Sequence, residues 1–343
     1  MTRATALGSS DFVEEYGDQF MIRWGMIGCG DVTEVKSGPA FSKAHDSELV
    51  AVMSRDGKRA EAYARRHGVP RHYDDADAII GDEAIDAVYI ATPPISHRSY
   101  TLACAAAGKP VYVEKPMATT HEDAREMVDA CKAADVPLWV AYYRRALPRL
   151  LAVKAMIDEG QIGDVRVVRS YRQEALTPVH AESWRTDPEI SGGGMFFDGV
   201  CHVFDFLDFL FGPIGTVAGF ARSNAGSYRA EDTVTASYEF ESGVLGAGTW
   251  CFAAGVNDQQ DEIVGSDGRI IFSIANAEPI QLHRAGESMQ EFVEDPLHVQ
   301  QPLIQTIVDE LHGVGSCVST GVSALRTAWV MDQILEVYRD SLS

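Results

Sequence analysis

An imidazole, a carboxylate and an ammonium stand in this sequence where they could act together on one oxygen atom. In the run Gly192-Gly193-Gly194-Met195-Phe196-Phe197-Asp198-Gly199-Val200-Cys201-His202-Val203-Phe204-Asp205, Asp198 and His202 are four residues apart. A helix puts such a pair on one face. An imidazole, with a pKa near ~6.5, is the natural proton acceptor at neutral pH, and a neighbouring carboxylate can orient it or share a substrate hydroxyl. The surroundings are mostly apolar, so two polar groups there need a task or a partner. A self-satisfied His–Asp pair in the core is the competing reading. Asp205 is either a partner behind His202 or a structural acid. Glu114-Lys115-Pro116 follows the short apolar run Val111–Val113. A lysine at the tip of such a strand points into a crevice, where its ammonium could polarise a hydroxyl or carbonyl oxygen. A surface lysine before a turn is the plainer alternative. Cys201 and His202 have no further ligands at metal spacing, so no metal site is expected.

A second constellation lies near the start. The apolar run Arg23-Trp24-Gly25-Met26-Ile27 ends in Gly28-Cys29-Gly30-Asp31-Val32. The first glycine lets the chain turn and the second lets backbone approach a phosphate. The N–H groups of the helix beginning at Asp31 and Val32 then face negative charge. This spacing predicts a dinucleotide pyrophosphate site at Gly28, Cys29, Gly30, Asp31 and Val32, with an ordinary glycine-rich turn as the alternative. Thr33 occupies the third fingerprint position, where a smaller residue is usual. About 20 residues further on, an NAD enzyme carries an acid for the ribose hydroxyls. Here the chain reads Met53-Ser54-Arg55-Asp56. The Ser54 hydroxyl and the Arg55 guanidinium suit a 2′-phosphate, which favours NADP and leaves NAD open. In the other reading, Arg55 is merely solvated and Asp56 caps the next helix or reaches the ribose.

The elements that must hold these groups can be read from the pattern. Leu49–Met53, Ala87–Ala91, Val111–Val113 and Leu138–Ala141 are short continuous apolar runs separated by helical stretches. Such alternation predicts a parallel sheet covered on both faces. Helices are expected over Asp31–Ala44, interrupted at Gly38-Pro39, over Arg55–His67, from a Ser96 cap to Ala107, and to Ala134 from a capping box at Thr119 and Glu122. After Tyr142 the texture changes. A helix at Pro148–Glu159 and a glycine-rich then helical run at Ser191–Phe211 precede and follow strand-like segments at Val165–Gln173, Thr216–Arg222, Thr233–Phe240, Val244–Phe252, Asp261–Val264 and Arg269–Ile274. Helices at Gln301–Leu311 and Ser323–Tyr338 close the chain. The fold class is therefore α/β: a Rossmann-type dinucleotide-binding domain over residues 21–142, and an α+β domain with a mostly antiparallel open sheet over 143–343. Residues 1–20 read as an extension.

Composition narrows the function. With 50 acids against 29 bases the 343-residue chain carries a net charge of −21, which argues against nucleic acid or an anionic membrane as partner. No run approaches 18 apolar residues, so no membrane span is expected. Six scattered cysteines without a C-x-x-C pair fit free thiols in a reducing cytoplasm.

Taken together, Gly28-x-Gly30, Ala91-Thr92-Pro93-Pro94 with His97, Ala107-Gly108-Lys109-Pro110, Glu114-Lys115-Pro116 and Gly193-Gly194-x-x-x-Asp198-x-x-x-His202 resemble the glucose–fructose oxidoreductase/inositol dehydrogenase (Gfo/Idh/MocA) family from about Met21 onward. The Ser54-Arg55 strand end is similar to that of NADP-using members. The resemblance implies NAD(P)-linked chemistry at a carbinol carbon of a sugar, cyclitol or related polyol. It also implies a homo-oligomer, dimer or tetramer, formed through the C-terminal sheet. Lys115 would be the catalytic lysine, Asp198 its partner and His202 the acid/base. Thr92, Pro93, His97 and Glu114 would join Lys115 beside the cofactor, and the Lys115–Pro116 peptide would be cis. Tyr142, Arg144, Trp184 and Arg185 are the candidates for the substrate rim, because aromatic faces with guanidinium donors suit a sugar ring or an acidic sugar. A dehydrogenase of a non-sugar diol or hydroxy aldehyde, a non-enzymatic NADP-binding sensor, and a lyase- or glycosidase-like enzyme with internal NAD redox remain alternatives.

Overall fold

The computed structural model describes residues 20–177 and 182–341. The extension before Phe20, and Pro178 in the irregular stretch, lie outside them. Six strands, β1 (Ile22–Ile27), β2 (Ser47–Met53), β3 (Arg71–Tyr73), β4 (Ala87–Ile90), β5 (Val111–Val113) and β6 (Leu138–Val140), form a parallel sheet in the order β3-β2-β1-β4-β5-β6. Strands β4, β5 and β6 are buried along their whole length, as their uninterrupted apolar runs require when helices cover both faces. The strand order reverses between β1 and β4. In open sheets this places a crevice at the carboxyl ends of the strands, where ligands bind.

The helix after β1 is split into α1 (Asp31–Val35) and α2 (Gly38–Phe41), with Pro39 in the first turn of the second piece. The break exposes the Thr33 carbonyl, which accepts the Tyr63 hydroxyl at 2.7 Å. Gly38 is needed there, since a Cβ would lie 2.1 Å from that hydroxyl oxygen. Helix α3 (Gly57–His67) is capped by Asp56, whose Oδ1 accepts from the Lys58 and Arg59 amides. A short helix, α4 (Ala76–Ile80), precedes β4. Two expected caps differ. Ser96 does not cap α5 (His97–Ala106); its hydroxyl turns back to Thr92 Oγ1 at 2.7 Å. Helix α6 (His121–Ala133) is capped by Thr120, one residue later than expected, because it is the Thr120 Oγ1 that meets the Asp123 amide.

Beyond α7 (Pro148–Asp158) and α8 (Pro188–Ser191), the long helix α9 (Met195–Phe211) packs on an eight-stranded sheet. Its strands are β7 (Val165–Ala175), β8 (Ile214–Arg222), β9 (Thr233–Phe240), β10 (Leu245–Ala254), β11 (Asp258–Gly265), β12 (Gly268–Phe272), β13 (Ile280–Arg284) and β14 (Glu287–Glu291), in the order β14-β13-β12-β11-β7-β10-β9-β8. Among the described residues of this sheet, only the β7–β10 pair is parallel. The last hairpin was not anticipated. Its Ala285-Gly286 turn takes positive φ at both residues, a conformation normally signalled by Asn-Gly or Asp-Gly, and Glu287–Glu291 is exposed throughout, with no apolar alternation.

The chain then returns to the first sheet. Gln300 precedes α10 (Gln301–Leu311); its Oε1 accepts the Tyr112 hydroxyl at 2.7 Å and its Nε2 donates to Glu114 Oε1 at 2.6 Å. Ser319 Oγ donates to the Val140 carbonyl at 2.7 Å, and Trp139 bridges to Thr320 at the β6 edge. Helix α11 (Gly321–Asp340) closes the structure, capped by Thr320 and Ser323.

Candidate active site

The glycine turn follows β1. Gly28 has φ +108, and a Cβ on it would lie 2.7 Å from the Ala91 carbonyl oxygen, so only glycine fits. Gly30 is extended at the N-terminus of α1, where no side chain caps the helix, and a Cβ on it would point into open space. An uncapped helix start beside space that a side chain would fill fits a pyrophosphate. Asp31 is exposed and Val32 half-buried at this start. Cys29 contributes backbone only: its thiol is buried, directed at the Met53 carbonyl (3.6 Å) and pushed up to about 12 by burial. Thr33, at the third position, is accommodated because its hydroxyl folds back onto the Gly30 carbonyl at 2.7 Å.

At the next strand end, Ser54 is half-buried and Arg55 exposed. The Asp56 carboxylate is committed to capping α3, and Ser54 Oγ accepts the Asp56 amide at 3.3 Å. After β4, Thr92 and Pro93 border the crevice, but His97 does not reach it. Its ring is fully buried, with Nε2 2.7 Å from the Thr92 carbonyl and Nδ1 3.1 Å from the Pro116 carbonyl. Burial lowers this imidazole to about 4. His97 thus clamps two crevice-lining loops together, a correction to its placement beside the cofactor. Glu114 is also engaged inside the protein. Its Oε1 accepts from Tyr89 and Gln300, each at 2.6 Å, while its Oε2 accepts the Lys115 amide at 3.1 Å. The acid holds the loop from behind, and Oε2 keeps room for one further donor.

Lys115 and Asp198 meet. The peptide before Pro116 is cis, and Lys115 Nζ donates to Asp198 Oδ1 at 2.9 Å and to the Asp198 carbonyl at 2.8 Å. Burial opposes both charges, but their mutual attraction prevails, so the ammonium is raised and the carboxyl lowered from their ordinary values. The pair stays ionic through neutral pH. The glycine run makes this approach feasible: a Cβ at Gly192 would lie 2.7 Å from the Thr119 carbonyl oxygen, and one at Gly194 2.3 Å from that of Glu231. The buried Glu231 carboxylate then accepts the Gly194 and Phe197 amides at 2.7 and 3.2 Å, anchoring the start of α9.

One turn along α9, His202 is 4% exposed and held edge-on by Tyr142 and Tyr143, with ring centroids at 5.6 and 5.2 Å. Its Nδ1 is buried without a hydrogen-bond partner among the described residues. Burial first, then the charges of Arg144, Lys115, Lys36 and Arg172, hold this imidazole well below its ordinary value. It is therefore neutral and able to accept a proton. Asp205 does not partner it. That acid is fully buried in a bidentate pair with Arg145, both contacts at 2.8 Å.

The rim candidates divide. Tyr142 is buried as a wall of the His202 pocket. Arg144 lines a cavity of about 10 Å3 together with His202, Arg172 and Asp261. Trp184 stacks under Arg185 at 4.5 Å, and Arg185 Nε lies 3.5 Å from Asp198 Oδ2. Arg172 and Asp261 were not anticipated. Arg172 carried a signal: with Val168 and Ser170 it occupies alternate positions of β7, and those two are buried. Among the described residues, no cluster suited to a metal ion occurs, and no helix is long and apolar enough to cross a membrane.

Comparison with known proteins agrees with this geometry. Residues 22–142 match the model of the oxidoreductase family with an NAD-binding Rossmann fold, and residues 150–271 match the GFO/IDH/MocA C-terminal domain. An oxidoreductase of Formosa agariphila is 40% identical over 84% of this chain and 90% of its own. The 1,5-anhydro-D-fructose reductase of Ensifer adhaerens is 31% identical over 88% and 91%. A levoglucosan dehydrogenase, solved with NADH and levoglucosan, superposes with a TM-score of 0.82 at 25% identity, covering 95% of this chain and 98% of that one. The chain therefore belongs to the Gfo/Idh/MocA family of NAD(P)-dependent oxidoreductases.

Proposed function

We propose that the protein transfers hydride between NADP and a carbinol or carbonyl carbon of a sugar, cyclitol or related polyol, with residues 21–142 binding the cofactor and 143–343 the substrate. The observation that carries this reading is the Lys115–Asp198 ion pair one helical turn from a buried, neutral His202. The bound cofactor supplies the hydride acceptor or donor, and the protein supplies position and charge. His202 takes the hydroxyl proton in oxidation and returns it in reduction. The Lys115 ammonium, kept charged by Asp198, stabilises negative charge developing on the same oxygen. A sensor would need neither a neutral buried base nor a paired ammonium beside it. The reading is tested by following nicotinamide absorbance with sugars, cyclitols and their keto forms, with both cofactors. Turnover of a polyol with a matching absorbance change supports it; conversion without that change would mean internal redox, and no conversion at all would favour a sensor.

The preference for NADP rests on Ser54 and Arg55 and on the commitment of Asp56 to its helix cap. Replacing Arg55 with Ala should weaken NADP binding by about 10- to 100-fold while leaving NAD binding unchanged, since only the 2′-phosphate is lost as a partner. Fluorescence titration measures both constants, and an equal effect on the two would refute the assignment.

The same reading gives a homodimer through the eight-stranded sheet. On the side facing away from α9, Phe220 is 76% and Leu245 55% exposed; the register sets Phe220 opposite Thr235 and Leu245 opposite Glu239, on one outer face. Leu245→Glu should turn a dimer into a monomer in light scattering. A wild-type monomer at high concentration would count against this interface.

A further inference from the structure

The inner end of the site holds an incompletely used cation. Arg144 Nε donates to the Ile274 carbonyl at 2.8 Å and Nη2 contacts the Ala275 carbonyl at 3.5 Å, with the guanidinium 5.3 Å above the Tyr143 ring. Its Nη1 is buried and makes no hydrogen bond among the described residues. His202 Nδ1 is in the same condition, and both residues line the cavity of about 10 Å3. Such a space accommodates one oxygen-sized group. Lys115 is paired with Asp198, and Arg172 is chelated by Glu174. Asp261 accepts the Ser170 hydroxyl and the Ile274 amide, one on each oxygen, both at 2.7 Å.

A buried charged donor requires an acceptor, since leaving it without one is costly. We propose that the acceptor is part of the substrate: a carboxylate, placed so that one oxygen enters this cavity and bonds Arg144 Nη1 while the adjacent carbinol faces His202 and Lys115. The substrate class is then a sugar-type hydroxy acid, aldonic or uronic, rather than a neutral polyol. A phosphate would need more room than a cavity of about 10 Å3 gives, and Arg144 presents it a single unengaged nitrogen, since Nε and Nη2 each contact a main-chain carbonyl.

This inference rests on the oxidoreductase reading of the site, and its test is separable from that reading because it measures binding rather than turnover. The protein is saturated with NADP+ and titrated calorimetrically with D-gluconate against D-sorbitol, and with D-glucuronate against D-glucose. In the wild type at least one acid should bind about tenfold or more tightly than its neutral counterpart, a difference expected of one charge-assisted hydrogen bond in a buried site. Arg144→Met should abolish that preference. Arg144→Lys should restore part of it, since an ammonium keeps the charge. Melting temperature and NADP+ affinity, followed in each variant, report whether the fold and cofactor site persist. Acids that bind no better than their neutral partners, or a preference that survives in Arg144→Met, would overturn the proposal. Absorbance recorded on the same mixtures reports hydride transfer independently, so tight acid binding without redox would spare this inference and sink the other.

Discussion

Replacing His202 with Asn should lower turnover by about 10²- to 10⁴-fold, the usual range for a lost general base, while nicotinamide affinity stays unchanged. The separation of effects follows from position. His202 lies on α9, walled by Tyr142 and Tyr143, whereas the glycine turn and the Arg55 strand end belong to the other sheet. The pH profile adds a second readout. Burial and four neighbouring cations depress the imidazole, so it remains a competent base as pH falls past about 6.5. The rate of oxidation should hold level there and fall only in the more acidic range where His202 is protonated. Lys115→Met should also cost rate, but the acid limb should persist because the base remains. A variant lacking His202 that keeps both its rate and its acid limb would remove the histidine from the chemistry.

The largest stability loss is expected from Arg145→Met. Arg145 and Asp205 have side chains 4% and 0% exposed, and Arg145 also contacts Asp208 at 3.1 Å, which Arg326 holds from the other side. Removing one partner of a buried ion pair typically costs about 3–5 kcal/mol, because the remaining charge is left without compensation. Chemical denaturation measures this, and a loss under about 1 kcal/mol would contradict it. The pH dependence has a definite sign. Burial, opposed by Arg145, places Asp205 at about 6, above its ordinary 3.8. The folded state therefore holds this proton more tightly than the unfolded state does, and its contribution declines as pH rises through that interval. Without Arg145 the carboxyl rises further, so the deficit of the variant should be greater at about pH 8 than at about pH 5. Arg145→Met combined with Asp205→Leu should recover much of the loss, since an apolar pair leaves no stranded charge.

Much of this site could be read before any coordinates, because its parts are local signals. Gly28 must adopt positive φ, Lys115 ends an apolar strand, and Asp198 and His202 share a helical period. Each follows from spacing along a few residues. What could not be read is which polar side chains are spent inside the protein. His97 and Glu114 sit in the correct motifs, yet their hydrogen bonds go to Thr92, Pro116, Tyr89 and Gln300. The Gln300 contact spans 186 residues, beyond any periodicity. Arg172 and Asp261 enter the site through the β7–β11 pairing of an irregularly spaced sheet. The β13–β14 hairpin escaped because its turn lacks the usual residues and its outer strand buries nothing. The helix break at Gly38-Pro39 was legible, whereas its compensation by Tyr63 was not, since that hydroxyl arrives from α3.

The return of the chain to its first sheet has a consequence for how such an enzyme can be taken apart. Gln300 supplies the partners of Tyr112 and Glu114, and residues 319–320 cover the free margin of β6. A nucleotide-binding half cut after residue 142 would carry a buried acid short of one of its donors beneath the Lys115 loop, and a bare strand flank open to other chains. The halves are thus not interchangeable cassettes. Swapping the substrate half between relatives must carry the returning segment along, matched to the donor of the first sheet rather than to the donor of the second.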